Sequence, residues 1–254
     1  MRRRSAAKPE LRCKPRLLRR RWPAGLALLL SGVILWLAVP RALASAWLAL
    51  RDPVIQRLDA GERVAPAELL ALIASRELAL VWVEERETHD QRATALAELA
   101  LRERRQGAAE RAMLERAIGA TRAGLALAPA DPRDWMQLGY LLVLREGEPN
   151  RAAAEALLLS MRIGALQAPD LLRRRLFWAL AHWTFYDEAE RRQLGEQIRL
   201  AWRVAPGALA DLALDAPELL MPITAALDSV AGAQERFIAA IAFATPLAIG
   251  RRGP

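Results

Sequence analysis

The chain begins with a polar arm, passes through one wholly apolar run, and then alternates apolar and polar positions at helical spacing to its end. The apolar run, Pro23 to Pro40, reads PAGLALLLSGVILWLAVP and holds no charge. Rising about 1.5 Å per residue as a helix, it covers roughly 27 Å, near the thickness of a bilayer core. Trp22, Trp36 and Trp47 lie at or near its ends, where indoles favour the membrane–water boundary. Beyond residue 50, apolar residues recur every three or four positions, and Pro or Gly breaks the pattern at intervals of about one helix. This predicts helices near 67–86, 90–105, 108–128, 132–145, 150–163, 169–184, 187–203, 206–214, 217–229 and 231–244.

Several starts have a local cause. Pro66 suits a first helical turn, where its missing N–H costs nothing. Asp131 and Asp187 are N-cap residues ahead of Pro132 and Glu188. Leu172, Leu176, Ala179, Leu180 and Trp183 share one helical face, and Leu194, Ile198, Ala201 and Trp202 share the next. The two faces should meet across a short turn at Phe185 to Asp187. The expected fold is therefore all-α: a transmembrane helix followed by a solenoid of antiparallel helix pairs.

Charge sharpens the membrane reading. The whole chain is +8, yet the first 22 residues carry ten Lys and Arg against Glu10, which leaves −1 for the rest. The basic excess thus flanks the apolar run and should stay in the cytoplasm, with the following domain outside it. Such an arm sets topology and touches anionic lipid, so nucleic acid is not an expected partner. The division is a basic cytoplasmic tail over 1–22, a transmembrane anchor and juxtamembrane segment over 23–50, and an extracytoplasmic helical domain over 51–254. The expected location is the inner membrane, single-pass. A rival reading makes the run a signal peptide, with Pro40 breaking the helix and Ala42 and Ala44 presenting small residues for cleavage before Ser45. Cys13 is the only cysteine and lies in the tail, so the helical domain must be held by its core alone.

Between Ala117 and Gly164 a spacing emerges that resembles the tetratricopeptide repeat, a pair of antiparallel helices with small residues at their contact and a closing Pro. Ala117, Gly124, Leu125 and Pro129 match the end of one unit. Trp135, Leu138 and Gly139 match the beginning of the next, with Gly139 placed for close helix approach. Leu142 departs from the pattern, which has an aromatic there, and no closing Pro follows Ile163. Ala153, Leu157 and Met161 should line an inner face. The order of basic tail, anchor and helical domain, with LALAPADPRDWMQLGYLL and QIRLAWRVAP, also resembles single-pass proteins of bacterial exopolysaccharide and envelope assembly. That resemblance implies envelope or polysaccharide-assembly proteins as partners.

Catalytic patterns are sparse. His89 sits in a polar stretch read as an exposed turn, and His182 reads as a structural residue among aromatics. The chain has no HExxH pair, no cysteine cluster, no phosphate-cradling Gly loop ahead of Lys-Ser or Lys-Thr and no G-x-S-x-G elbow. No cofactor is therefore expected. Glu84/Glu85, Asp187/Glu188 and Asp211/Asp215 are short-range carboxylate pairs that capping and solvation explain. The basic set is more suggestive: Arg173, Arg174, Arg175, Trp178, Arg192 and Arg199 combine guanidinium groups and an indole, which suits a partner's carboxylates or an anionic glycan. Alternatively they are solvated helix faces, with pairs such as Glu188–Arg192. Phe237 to Ile249 is too short to span a bilayer and should cap the array.

The expectation is a membrane-anchored, non-enzymatic scaffold of envelope or exopolysaccharide assembly. The alternatives are a helical-repeat assembly factor for cytochrome c maturation and a glycan-processing enzyme.

Overall fold

The computed structural model describes residues 16–102, 107–164 and 169–251. Most of the basic tail, with Cys13, lies outside the described residues. Every regular element among them is helical.

Helix α1 (Arg16–Ala49) runs unbroken through Pro23 and Pro40. The rival signal-peptide reading had the helix break at Pro40, and it continues. Pro40 offers no N–H to the carbonyl one turn back, but the following turns are held by packing on the domain, where Ala44 is buried. The Arg41 guanidinium reaches back to the Leu37 carbonyl at 3.0 Å. The stretch Trp22–Ala49 is long and apolar enough to cross a membrane.

Next come α2 (Asp52–Asp59), α3 (Pro66–Trp82), α4 (Arg86–Arg102), α5 (Ala108–Leu127), α6 (Pro132–Glu146), α7 (Arg151–Ile163), α8 (Pro169–Ala181) and α9 (Glu188–Val204). From α3 to α9 each helix packs on its successor through a short connection, which reverses the chain each time. Two short helices, α10 (Pro206–Asp215) and α11 (Leu220–Leu227), and the longer α12 (Ala233–Arg251) follow. They close the end of the array, with α12 against α10 and α11. Phe237 of α12 is buried edge-on to Trp202, ring centres 5.8 Å apart.

The caps form where the sequence placed them. Asp131 accepts from the Arg133 N–H at 2.8 Å. Asp187 accepts from the Glu190 N–H while Glu190 accepts from the Asp187 N–H, a reciprocal capping box. Asn150 adds a cap at α7, accepting from Ala153 N–H at 2.9 Å. One connection is displaced. The α3–α4 turn lies at Val83–Glu85, earlier than the pattern indicated, so His89 is no exposed turn residue: it is buried in the first turns of α4.

Two apolar clusters meet at α7. Ala153 and Ala156 join the cluster built by α3 to α6, while Ala154, Leu157, Leu158 and Met161 join the one built by α8 to α12. The predicted face of Leu172, Leu176, Ala179 and Leu180 and that of Leu194, Ile198 and Ala201 fall in the second cluster, with Trp202 packed against it. Helix α8 stops at Ala181, short of the expected 184, and Trp183 reaches the cluster from the 3-10 turn Trp183–Phe185. Gly139 has the role its spacing suggested. A Cβ added there would lie 2.6 Å from Leu157 Cγ, so only glycine lets α6 and α7 approach this closely.

Candidate functional site

A groove of about 680 Å³ has walls that come from alternate helices. Helix α4 contributes Thr94, Ala97, Glu98 and Leu101. Helix α6 contributes Arg133, Met136, Gln137, Tyr140 and Leu141. Helix α8 contributes Leu171, Arg174 and Trp178, and Asp59 at the end of α2 closes one margin. Alternation arises because each intervening helix, α5 or α7, lies behind its neighbours. The faces left over by α4, α6 and α8 therefore look into one channel.

The floor is apolar and aromatic. Tyr140 and Trp178 stand with ring centres 5.1 Å apart at 59°, and Phe177 meets Trp178 edge-on at 5.3 Å. These contacts fix the indole, which is half-buried and retains a face toward the groove. Gln137 donates to Thr94 Oγ1 at 3.1 Å, tying α6 to α4 across the channel. Arg133 and Arg174 are exposed on the rim with Glu98 and Asp59. Such a channel offers stacking surface, apolar area and a few charges of both signs. It suits an extended segment with aromatic or aliphatic side chains and a carboxylate or two.

The basic set suggested by the sequence is distributed over different surroundings. Arg174 and Trp178 belong to the groove and also to an adjoining hollow of about 250 Å³ with Arg173, Phe177, Leu212 and Asp215. There Arg173 pairs with Asp215 at 3.3 Å. Arg199 lies in a separate hollow with Trp202 and Arg203 and donates to the Ala226 carbonyl at 3.2 Å. Arg192 is exposed and pairs one turn back with Glu188 at 2.7 Å. Arg175 is fully buried and touches no surface ligand; it donates to the Ser160 carbonyl at 3.0 Å and to the Gly164 carbonyl, satisfying the last turn of α7. The consecutive positions 173–175 looked like one patch, but a helix turns 100° per residue and sends the third side chain inward.

The groove residues on α4 and α6 carried no motif. Their signal was weak: Thr94, Gln137 and Tyr140 are polar or amphipathic positions on amphipathic helices that carry many other polar residues. The repeat residues stand behind the groove. Gly124 of α5 faces α4 and α6, where a Cβ would meet His89 Cβ and Asp134 Oδ2 at 3.5 Å each, an ordinary contact distance. Ala117, Leu125, Leu138 and Gly139 are buried. The Trp135 indole donates to the Pro129 carbonyl at 2.8 Å, stapling the turn between α5 and α6.

A charged cluster sits where α4 and α6 begin. Arg86 bridges Asp134 at 3.1 Å and Asp131 at 3.2 Å. Burial pushes the Asp134 carboxyl up, and neighbouring Asp131 adds to this. Asp90 is raised to about 6 by burial first and by Asp134 second. His89 is held below its usual range by burial and by Arg92. His182 is buried, with Nδ1 2.7 Å from the Trp178 carbonyl, and burial also lowers its pKa. Among the described residues no group of three or more His, Cys, Asp or Glu is placed to hold a metal ion.

Compared with known proteins, the chain matches no family model, no curated protein and no solved structure.

Proposed function

We propose that this protein is a membrane-anchored scaffold, not an enzyme, in which α1 spans the inner membrane and the α4–α6–α8 groove holds a partner segment outside the cytoplasm. The basic tail faces the cytoplasm on this reading, because its Lys and Arg resist translocation. The helix pairs act as a short solenoid of tetratricopeptide type, whose alternate helices line the binding channel. The supporting observation is the groove itself, with Tyr140 and Trp178 on its floor and Arg133 and Arg174 on its rim. Aromatic anchors flanked by Arg are what concentrated binding energy requires. Assembly or export of surface polysaccharide is the context proposed for that partner, on the resemblance of tail, anchor and domain given above.

The test is a photo-crosslinking residue introduced at Gln137 in the full chain, in cells. A discrete adduct with an envelope protein, weakened by Arg174→Glu, is the expected result. No adduct, together with unchanged surface polysaccharide in a deletion strain, would overturn the reading.

A further inference from the structure

We infer that the end of the helix array beside the anchor is a lipid-contact surface, so that the domain rests against the bilayer instead of swinging from α1. This rests on the reading of α1 as a membrane span.

The direction of α1 against α3 follows from three contacts. Ser75 Oγ donates to the Trp47 carbonyl at 3.0 Å, and Arg76 Nη1 donates to the Leu48 carbonyl at 2.9 Å. Asp52 meets Arg76, whereas Arg57, farther along α2, meets Glu68. Helix α2 therefore descends α3 toward its start. Helix α1 packs on α3 without pairing along α2, so its earlier turns must lie along the later turns of α3. Counting back along two antiparallel helices of equal rise brings Arg41 level with positions 81–83. Arg41 is the first charge after the apolar run, and so marks the bilayer boundary.

At that level α3 exposes Val81 by 75% and Trp82 by 44%. The alternating array brings the ends of α5, α7 and α9 to the same side. Contacts confirm this sidedness: Arg86 at the start of α4 bridges Asp131 and Asp134 at the start of α6, and Ser160 near the end of α7 donates to the Pro132 carbonyl. Each of those ends again leaves a large apolar residue uncovered: Leu127 by 45%, Ile163 by 37% and Val204 by 55%. The opposite end differs. There Arg151 bridges Glu190 and Glu155, and Arg145 bridges Glu115 and Glu146, with Leu70 and Phe185 as exposed apolar residues. The end of the array that lies level with the exit of the membrane helix thus presents exposed apolar side chains at the ends of α3, α5, α7 and α9, around the Arg86–Asp131–Asp134 ion cluster, which fits a lipid surface. Trp82 is the residue type that favours that boundary. Glu84 and Glu85 follow directly and are exposed, so the contact is apolar and does not draw on anionic headgroups.

The test uses the full chain carrying Cys13→Ser and one new cysteine at a time: Val81→Cys, Leu127→Cys, Glu148→Cys at the opposite end, and Leu30→Cys within α1. Each is labelled with an environment-sensitive fluorophore in phosphatidylethanolamine-rich nanodiscs, and quenching by doxyl lipid is measured. Quenching at 30, 81 and 127, severalfold above that at 148, is the expected result. Quenching at 30 with 81 or 127 no higher than 148 overturns the lipid contact and leaves the anchor standing. No quenching at 30 overturns the anchor, and the lipid contact with it.

Discussion

The guanidinium of Arg76 donates to the Leu48 carbonyl at 2.9 Å, so a fully buried arginine of α3 closes the last turn of the membrane-length helix. The same side chain meets Asp52 at 3.2 Å and Gln91 at 2.8 Å. A cation at a helix C-terminus is favoured by the unpaired carbonyls and the helix dipole. This one residue ties α1, α2, α3 and α4 together.

Arg76→Ala should release α1 from the domain. It removes one of the two donors to the Leu48 carbonyl and the partner of Asp52 and Gln91, at a cost of about 1–3 kcal/mol. Limited tryptic digestion reads this directly, because exposed Arg51 lies between α1 and α2. Faster cleavage at Arg51 than in the parent protein is expected. An unchanged rate would show that the clamp does not hold the junction.

Gly139→Ala should destabilise the domain by about 1–3 kcal/mol, because the new methyl enters the space of Leu157. Adding Leu157→Ala should recover part of the loss beyond simple addition, since the pair shares one contact. Thermal unfolding of the single and double variants gives the coupling; additive effects would contradict the close approach of α6 and α7.

Asp90 makes stability depend on pH in a defined window. Burial raises its folded pKa to about 6, above the ordinary carboxylate value of 3.8. The folded state thus binds the proton more tightly than the unfolded state does. Stability from this group is full below about pH 4, falls as pH rises toward 6, and is level above that. Asp90→Asn should flatten that slope and stabilise the protein at pH 7 by about 1–3 kcal/mol. Urea unfolding at pH 4, 5, 6 and 7 tests it; a parent slope retained in the variant would assign the effect elsewhere.

The arginines of α8 and α9 should separate by burial. Arg175→Ala removes the donors for the Ser160 and Gly164 carbonyls and should cost about 2–4 kcal/mol. Arg192→Ala breaks only an exposed pair and should change stability by less than about 0.5 kcal/mol. Equal losses in thermal unfolding would contradict this division.

Much of this architecture was written in the local pattern. Asp131, Asp187 and Pro66 start their helices as expected, because caps act within one turn. The face Leu172–Leu176–Leu180 found its core because period alone decides which side is apolar. Gly139 was legible because close packing has a residue signature. What required the fold was nonlocal. Arg175 could not be told from Arg173 and Arg174 without knowing that α7 ends beside it. His89 looked exposed because its neighbours are polar, yet the α3–α4 turn lies earlier and rotates it inward. The groove was invisible in the chain, since it gathers residues from Asp59 to Trp178 that no spacing rule connects. The α1–α3 clamp was likewise hidden, because Arg76 reads as an ordinary surface residue until the end of α1 is placed beside it.

The most direct test of the account is the intact mass and N-terminal sequence of the protein recovered from isolated membranes. The account predicts a chain that retains Trp22–Ala49, still clamped to the domain through Arg76. A chain beginning at Ser45 would contradict it: the domain would then be released from the membrane, and neither the anchored scaffold nor its seating on lipid could stand.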